Sequence, residues 1–258
     1  MPMLEARHLV KRFHGVAAVN DVTFAVGPGE IVGYLGPNGS GKTTTVKMLT
    51  GMLEPSGGSV FFAGRDIAGD LIGYRARLGY VPEEPQLYSF LSGREYLNFV
   101  GSLRELPASL LAKKIPSLLE LFGMSTAADQ SISSYSKGMK QKILISAALL
   151  HNPDVLIFDE PDAGLDITTN LVLRHLLQGL AQEGKAIFYC SHVLELVEKL
   201  CVTVIVLHRG TVVANASVNE LRTIAASNSL EQVFSQLVLR DDPETTARDI
   251  VQVVTAST

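Results

Sequence analysis

Residues 31–44 read Ile31-Val32-Gly33-Tyr34-Leu35-Gly36-Pro37-Asn38-Gly39-Ser40-Gly41-Lys42-Thr43-Thr44. Ile31–Leu35 is a short, continuous apolar run, the pattern of a strand buried on both faces. It feeds directly into Gly36–Thr43, which fits G-x-x-x-x-G-K-[ST]. The glycines let the backbone curl so that successive N–H groups point inward as an anion nest. A helix starting near Lys42 adds the positive end of its dipole. In such a loop Lys42 reaches the β- and γ-phosphates of a nucleotide, and the Thr43 hydroxyl binds Mg²⁺. A Gly-rich turn can arise by chance, but here a strand precedes the loop and a helix follows, as the motif requires. Gly36, Pro37, Asn38, Gly39, Ser40, Gly41, Lys42, Thr43 and Thr44 are therefore the expected phosphate cradle.

Outward from this loop, strand-like runs recur. Leu4–Val10, Val22–Val26, Ser59–Phe62 and Leu78–Val81 flank it, with Gly27-Pro28-Gly29 as a break and Gly57-Gly58 as a turn. Val155–Phe158, Ala186–Tyr189 and Val202–Leu207 come later, separated by helical stretches at Thr168–Glu183 and Leu194–Leu200. Arg209-Gly210 punctuates a hairpin to Thr211–Ala214. Strands alternating with helices predict an α/β fold with a mainly parallel sheet covered on both faces. From about Pro85 to Leu150 the texture is leucine-rich at helical spacing (Leu97, Leu103, Leu106, Leu110, Leu111, Leu118), which predicts an inserted helical subdomain over about 85–150. Residues 1–239 are expected as one domain and 240–258 as a polar, partly disordered tail.

Further chemistry falls at strand ends. Val155-Leu156-Ile157-Phe158-Asp159-Glu160 is an apolar strand delivering two carboxylates, the means by which phosphate-loop proteins hold Mg²⁺. Asp159 is the expected metal carboxylate. Glu160, beside the γ-phosphate, can accept a proton from an attacking water. His192 follows the Ala186–Ser191 run, and Glu83 follows Leu78–Pro82. Alone, either is more often a solvated or satisfied side chain. After a phosphate loop both become candidates, His192 for the γ-phosphate and Glu83 for the metal.

Three further stretches narrow the class. Tyr135-Ser136-Lys137-Gly138-Met139-Lys140-Gln141 resembles the L-S-G-G-Q signature of ABC-type ATPases, with Ser136 and Gly138 matching and Tyr135, Lys137 and Met139 departing. Asp162-Ala163-Gly164-Leu165-Asp166 resembles that family's D-loop. Phe13, in Lys11-Arg12-Phe13-His14-Gly15, matches its adenine-stacking aromatic, and His192 falls where its switch histidine belongs. The resemblance implies a phosphate-loop NTPase core, an N-terminal antiparallel β subdomain and the inserted helical lobe. It also implies head-to-tail pairing of two ATPase subunits, with two copies of this chain as the expected pair. Ser136 and Gly138 would then contact the ATP of the partner, and Asp166 would lie at the seam. Glu83 stands where the family usually has Gln. The form of the signature, Tyr80-Val81-Pro82-Glu83 and Ser229-Leu230-Glu231-Gln232-Val233-Phe234 are similar to subunits of ABC-2-type exporters. The implied assembly is an ATP- and Mg²⁺-using, ATP-hydrolysing subunit that drives a separate transmembrane permease from the cytoplasmic face of the cell membrane. Pro85–Leu97 is the expected part of the permease groove.

Composition bounds the alternatives. The chain has 258 residues, 47% hydrophobic and 19% charged, and a net charge of -4. That is enough apolar material for a large core, and the acidic balance gives nucleic acid little to bind. An ABC ATPase acting on ribosomes or DNA usually carries two cassettes or a long coiled coil, and neither is present. No Asn-Lys-x-Asp marks a guanine site. No run approaches the roughly 20 apolar residues of a membrane span. Ile143–Leu150 reads as a buried helix, and Met1–Arg7 lacks the pattern of a secretory signal. Cys190 and Cys201 sit in apolar segments and are expected to be buried free thiols.

Overall fold

The computed structural model describes residues 1–224 and 229–238, together with positions 248 and 254. Apart from those two positions, the stretch expected as a polar tail lies outside the described residues. The strands are β1 (Leu4–Phe13), β2 (Val16–Val26), β3 (Ile31–Leu35), β4 (Gly57–Phe62), β5 (Arg65–Asp66), β6 (Leu78–Val81), β7 (Val155–Asp159), β8 (Ala186–Cys190), β9 (Thr203–His208) and β10 (Thr211–Ser217). The α-helices are α1 (Lys42–Leu49), α2 (Leu71–Ala76), α3 (Gly93–Leu103), α4 (Ala108–Leu121), α5 (Lys137–Leu149), α6 (Ile167–Gln182), α7 (Leu194–Leu200), α8 (Val218–Ile224) and α9 (Leu230–Val238).

Two sheets form the α/β architecture. The larger has the order β10-β9-β3-β8-β7-β6, with β6, β7, β8, β3 and β9 parallel and β10 an antiparallel edge. The smaller, β2-β1-β4-β5, is antiparallel. Every residue of β3, β7 and β8 is buried. Their alternation still matters, because successive side chains enter opposite cores. Leu35, Phe158 and Tyr189 enter the core shared with the helical lobe, whereas Tyr34, Ile157 and Phe188 enter the one under the small sheet. There the Phe24, Tyr34 and Phe188 rings cluster, with centroids 4.9–5.7 Å apart.

Three local readings are corrected. Gly57-Gly58 is not a free turn but the start of β4. A Cβ on Gly58 would lie 2.1 Å from the His8 carbonyl oxygen, and Gly58 and His8 both have positive φ (+76° and 51°), so two backbones meet where only glycine fits. The first hairpin runs on to Phe13 and from Val16, closed by His14 and Gly15 at φ 47° and 85°, as a type I′ turn requires. The run expected from Val202 starts as a strand at Thr203, leaving Val202 exposed. Between Pro85 and Leu150 the described structure is helical, with one isolated bridge between Ser92 and Ser131. Cys190 and Cys201 are buried free thiols. Among the described residues no helix is long and apolar enough to cross a membrane.

The site follows from topology. Parallel strands present their carboxyl ends on one edge, where open α/β sheets bind ligands. The loop after β3, the Asp159-Glu160 pair at the end of β7, the Ser191-His192 turn after β8 and Glu83 after β6 all emerge on that edge.

Candidate active site

The phosphate loop is built by close backbone approach. A Cβ on Gly36 would lie 2.5 Å from the Leu207 carbonyl, and one on Gly41 (φ +107°) 2.4 Å from the Ala18 carbonyl. Gly210 N–H donates to the Ser40 carbonyl at 2.8 Å, and Asn20 N–H to the Gly210 carbonyl at 2.7 Å. The loop is thus clamped from β2 and from the β9–β10 turn. No side chain caps α1, whose N-cap is Gly41, so its first-turn amide donors face the loop. Lys42 is buried, and its Nζ donates to the carbonyls of Gly36 at 2.6 Å and Pro37 at 3.2 Å. Behind the loop, Tyr34 Oη donates to Thr45 Oγ1 at 3.1 Å, and Thr45 Oγ1 donates to the Gly41 carbonyl at 3.0 Å.

Two cavities meet here. One, of about 200 Å³, is lined by the Asn38–Thr44 loop with Glu83, Asp159 and Glu160. The other, of about 380 Å³, shares Asn38, Glu83 and Glu160 and adds His192. Asp159 is buried, and burial pushes its carboxyl up to about 6; the Glu83 and Glu160 charges add to this, while the Cys190 thiol and Lys42 oppose it. Its Oδ2 is buried without a hydrogen-bond partner. Among the described residues no group of three or more His, Cys, Asp or Glu side chains could hold a metal. One buried carboxylate oxygen, a threonine hydroxyl and an exposed glutamate beside a phosphate cradle fit Mg²⁺. That ion keeps waters and is bound through one or two carboxylates plus substrate phosphates.

Glu160 has φ 50°, a left-handed conformation that costs a non-glycine about 1–3 kcal/mol. Neighbours hold it: its N–H donates to the Cys190 carbonyl at 2.8 Å, and its Oε2 accepts from His192 N–H at 3.2 Å. His192 Nδ1 lies 2.6 Å from the same oxygen. Burial raises the Glu160 carboxyl above its ordinary range, against the opposing pull of His192. Asp162 braces the two strand ends, accepting from Tyr189 Oη at 2.8 Å and from Ser191 Oγ at 3.2 and 3.3 Å.

The other expected residues lie outside both cavities. Phe13 ends β1 with its ring 45% exposed and Lys11 Nζ 5.5 Å from its centroid. Ser136 caps α5, accepting from Met139 N–H at 3.2 Å. Asp166 caps α6, accepting from Thr169 N–H at 2.8 Å and Thr169 Oγ1 at 2.7 Å. A Cβ on Gly138 would lie 2.6 Å from the Gly164 carbonyl, so the α5 start and the 162–166 loop are packed together. Tyr135 is buried; its hydroxyl donates to the Ala127 carbonyl at 2.6 Å and accepts from Gly93 N–H at 3.2 Å, which accounts for the departure from leucine. The sequence marks Gly210 only as a hairpin turn and Asp162 only as the start of the 162–166 loop, and it gives no sign of the contacts that Ala18, Gly210 and Asp162 make at the site. Ala18 and Gly210 act through backbone atoms brought from distant strands, and no local pattern marks such contacts.

Strand, glycine loop, helix, buried acid and paired Glu–His together define a phosphate-loop nucleotide hydrolase. Residues 19–163 match the family described as ABC transporter, and the chain belongs to it. It is 37% identical over 226 residues to the ABC transporter ATP-binding protein NatA of Bacillus subtilis (strain 168), spanning 87% of this chain and 92% of that one. It is 35% identical over 233 residues to the Nod factor export ATP-binding protein I of Ralstonia nicotianae, spanning 90% and 73%. A solved structure of an ATP-binding subunit of an ABC transporter superposes with a TM-score of 0.86 at 32% identity, over 91% of this chain and 99% of that one. The chain is therefore an ATP-binding and ATP-hydrolysing subunit of an ABC transporter, and a ribosome- or DNA-acting role is not favoured.

Proposed function

We propose that this chain powers export through a separate transmembrane permease, by closing around ATP with a second ATPase subunit and then hydrolysing it. The pairing of Glu160 with His192 at 2.6 Å, on the rim of the cradle, carries the hydrolytic part of the reading. The Gly36–Thr44 loop, the α1 amides and Lys42 hold the phosphates, and Phe13 offers its exposed ring to adenine. Thr43, Asp159 and Glu83 would hold Mg²⁺, which neutralises charge on the β- and γ-phosphate oxygens when bound. Glu160 takes the proton of the attacking water, its raised carboxyl suited to that task near neutral pH. His192 holds Glu160 by two contacts and faces the γ-phosphate.

Ser136, Gly138 and Asp166 lie away from their own phosphate loop, on a face that a second copy can present to the nucleotide. Tyr88, Phe90 and Phe99 supply the permease contact. Tyr88 lies 5.8 Å from Phe90 and 5.6 Å from Phe99, ring centre to ring centre, and all three are at least 40% exposed. A clustered exposed aromatic patch of this kind suits a partner surface. Through that partner the chain would sit at the inner face of the membrane. Export, rather than import, is supported by the exporter-like signature and the name of the Ralstonia relative.

Glu160→Gln is expected to bind ATP with near-parent affinity while hydrolysis falls by about 10²-fold or more. Steady-state phosphate release with nucleotide binding measured in parallel checks this. Parent turnover in that variant would remove Glu160 as the base.

A further inference from the structure

The Ser229–Phe234 stretch carries part of the exporter resemblance but no role in hydrolysis so far, yet Phe234 reaches the catalytic edge. In α9, Leu230, Val233 and Phe234 fall at i, i+3 and i+4 and so share one face. Leu230 and Val233 are buried, and Phe234 packs against the same core. One carboxylate ties this helix to its neighbours: Glu198 Oε1, on α7, accepts from Arg222 of α8 and, at 3.3 Å, from Leu230 N–H. Helix α7 begins at Leu194, two residues after His192. Phe234 and Leu194 then line the cavity of about 380 Å³, together with Pro37, Glu160 and His192.

The His192 turn shares that wall. Its side chain is 69% exposed, and α7 has no side-chain cap. The polar ties of the turn are His192 N–H and Nδ1 to Glu160, Val193 N–H to Ser191 Oγ, and Ser191 Oγ to Asp162. We infer that Phe234 is a positioning residue for ATP hydrolysis: α9 sets its ring in the cavity wall that Leu194, His192 and Pro37 also line, and by packing against the same apolar cluster as Leu194 it holds the start of α7 and so fixes His192 against Glu160. The ring acts through His192 and not on the phosphates, so it governs turnover more than ATP binding. Helix α9 thereby becomes a point at which displacement throttles the ATPase. This inference rests on the assignment of Glu160 and His192 to hydrolysis.

The test is ATPase kinetics on the full chain. Phe234→Ala is expected to lower kcat by about tenfold with KM for ATP within about twofold of the parent, and Phe234→Leu, which refills the wall, to restore kcat to within about twofold. Leu237→Ala, at an exposed position of the same helix, is expected to leave kcat unchanged, which separates the wall from general weakening of α9. Should Phe234→Ala not fold, Phe234→Trp overfills the same wall and carries the test with the same split. Parent kcat in the Ala or Trp variant, a KM rise matching the kcat fall, or failure of Leu to rescue overturns the inference. If Glu160→Gln and His192→Ala are inactive while Phe234→Ala is not, only the role of α9 fails. If those two variants hydrolyse ATP at the parent rate, the underlying assignment fails with it.

Discussion

Asp159 and Glu160 are adjacent carboxylates in different surroundings, which suits them to the different roles proposed for them. Asp159 leaves one oxygen without a partner beside the phosphate cradle, whereas Glu160 is bent into a left-handed conformation and held by His192. Burial raises the carboxyl of each, Asp159 to about 6. Between the ordinary carboxylate range and that value, the folded chain keeps a proton that the unfolded chain has released. Stability of the nucleotide-free protein therefore falls as pH rises through the window. Melting temperature followed from about pH 4 to about pH 6.5 is expected to drop less steeply in Asp159→Asn than in the parent, and equal slopes would contradict the burial argument. At this scale the gathering of the cradle residues, Asp159, Glu160 and His192 on one edge was legible, because they stand at or just after the ends of strands. The bracing role of Asp162 was not, since its partners Tyr189 and Ser191 lie at the end of a strand about one helix further along the chain.

Elements show the same divide between local and distant causes. Strands β3, β6, β7 and β8 could be read from uninterrupted apolar runs, because a strand buried on both faces needs nothing else. The β1–β2 hairpin was read short. Its middle carries Lys11, Arg12 and Asn20 on a half-exposed sheet, and only the left-handed pair His14-Gly15 reveals the turn. Helix α3 carries a capping box: Ser92 Oγ accepts from Glu95 N–H at 3.2 Å, and Glu95 Oε2 accepts from Ser92 N–H at 2.8 Å. The bonds its carboxylate accepts from Ser92 N–H and Ser92 Oγ hold Glu95 below the ordinary carboxylate range. Ser92→Ala is expected to cost about 1 kcal/mol of stability, read from the urea midpoint, with ATP affinity unchanged. A loss of ATP affinity in a folded Ser92→Ala protein would mean that α3 couples to the cradle more directly than its position implies.

For the whole molecule, the greasy composition resolves into two cores on either face of one sheet, with aromatic rings left exposed at Tyr88, Phe90 and Phe99. The catalytic edge holds the cradle and the Glu160–His192 pair, while Ser136, Gly138 and Asp166 lie outside its cavities. Each copy thus carries a site and, elsewhere on its surface, the residues that would complete the site of another. The most direct measurement is the mass of the Glu160→Gln chain in solution, by sedimentation with and without ATP and Mg²⁺. The account predicts a monomer without nucleotide, a dimer with it, and a monomer under both conditions once Lys42→Ala is added. A Glu160→Gln chain that binds ATP and remains a monomer would contradict it.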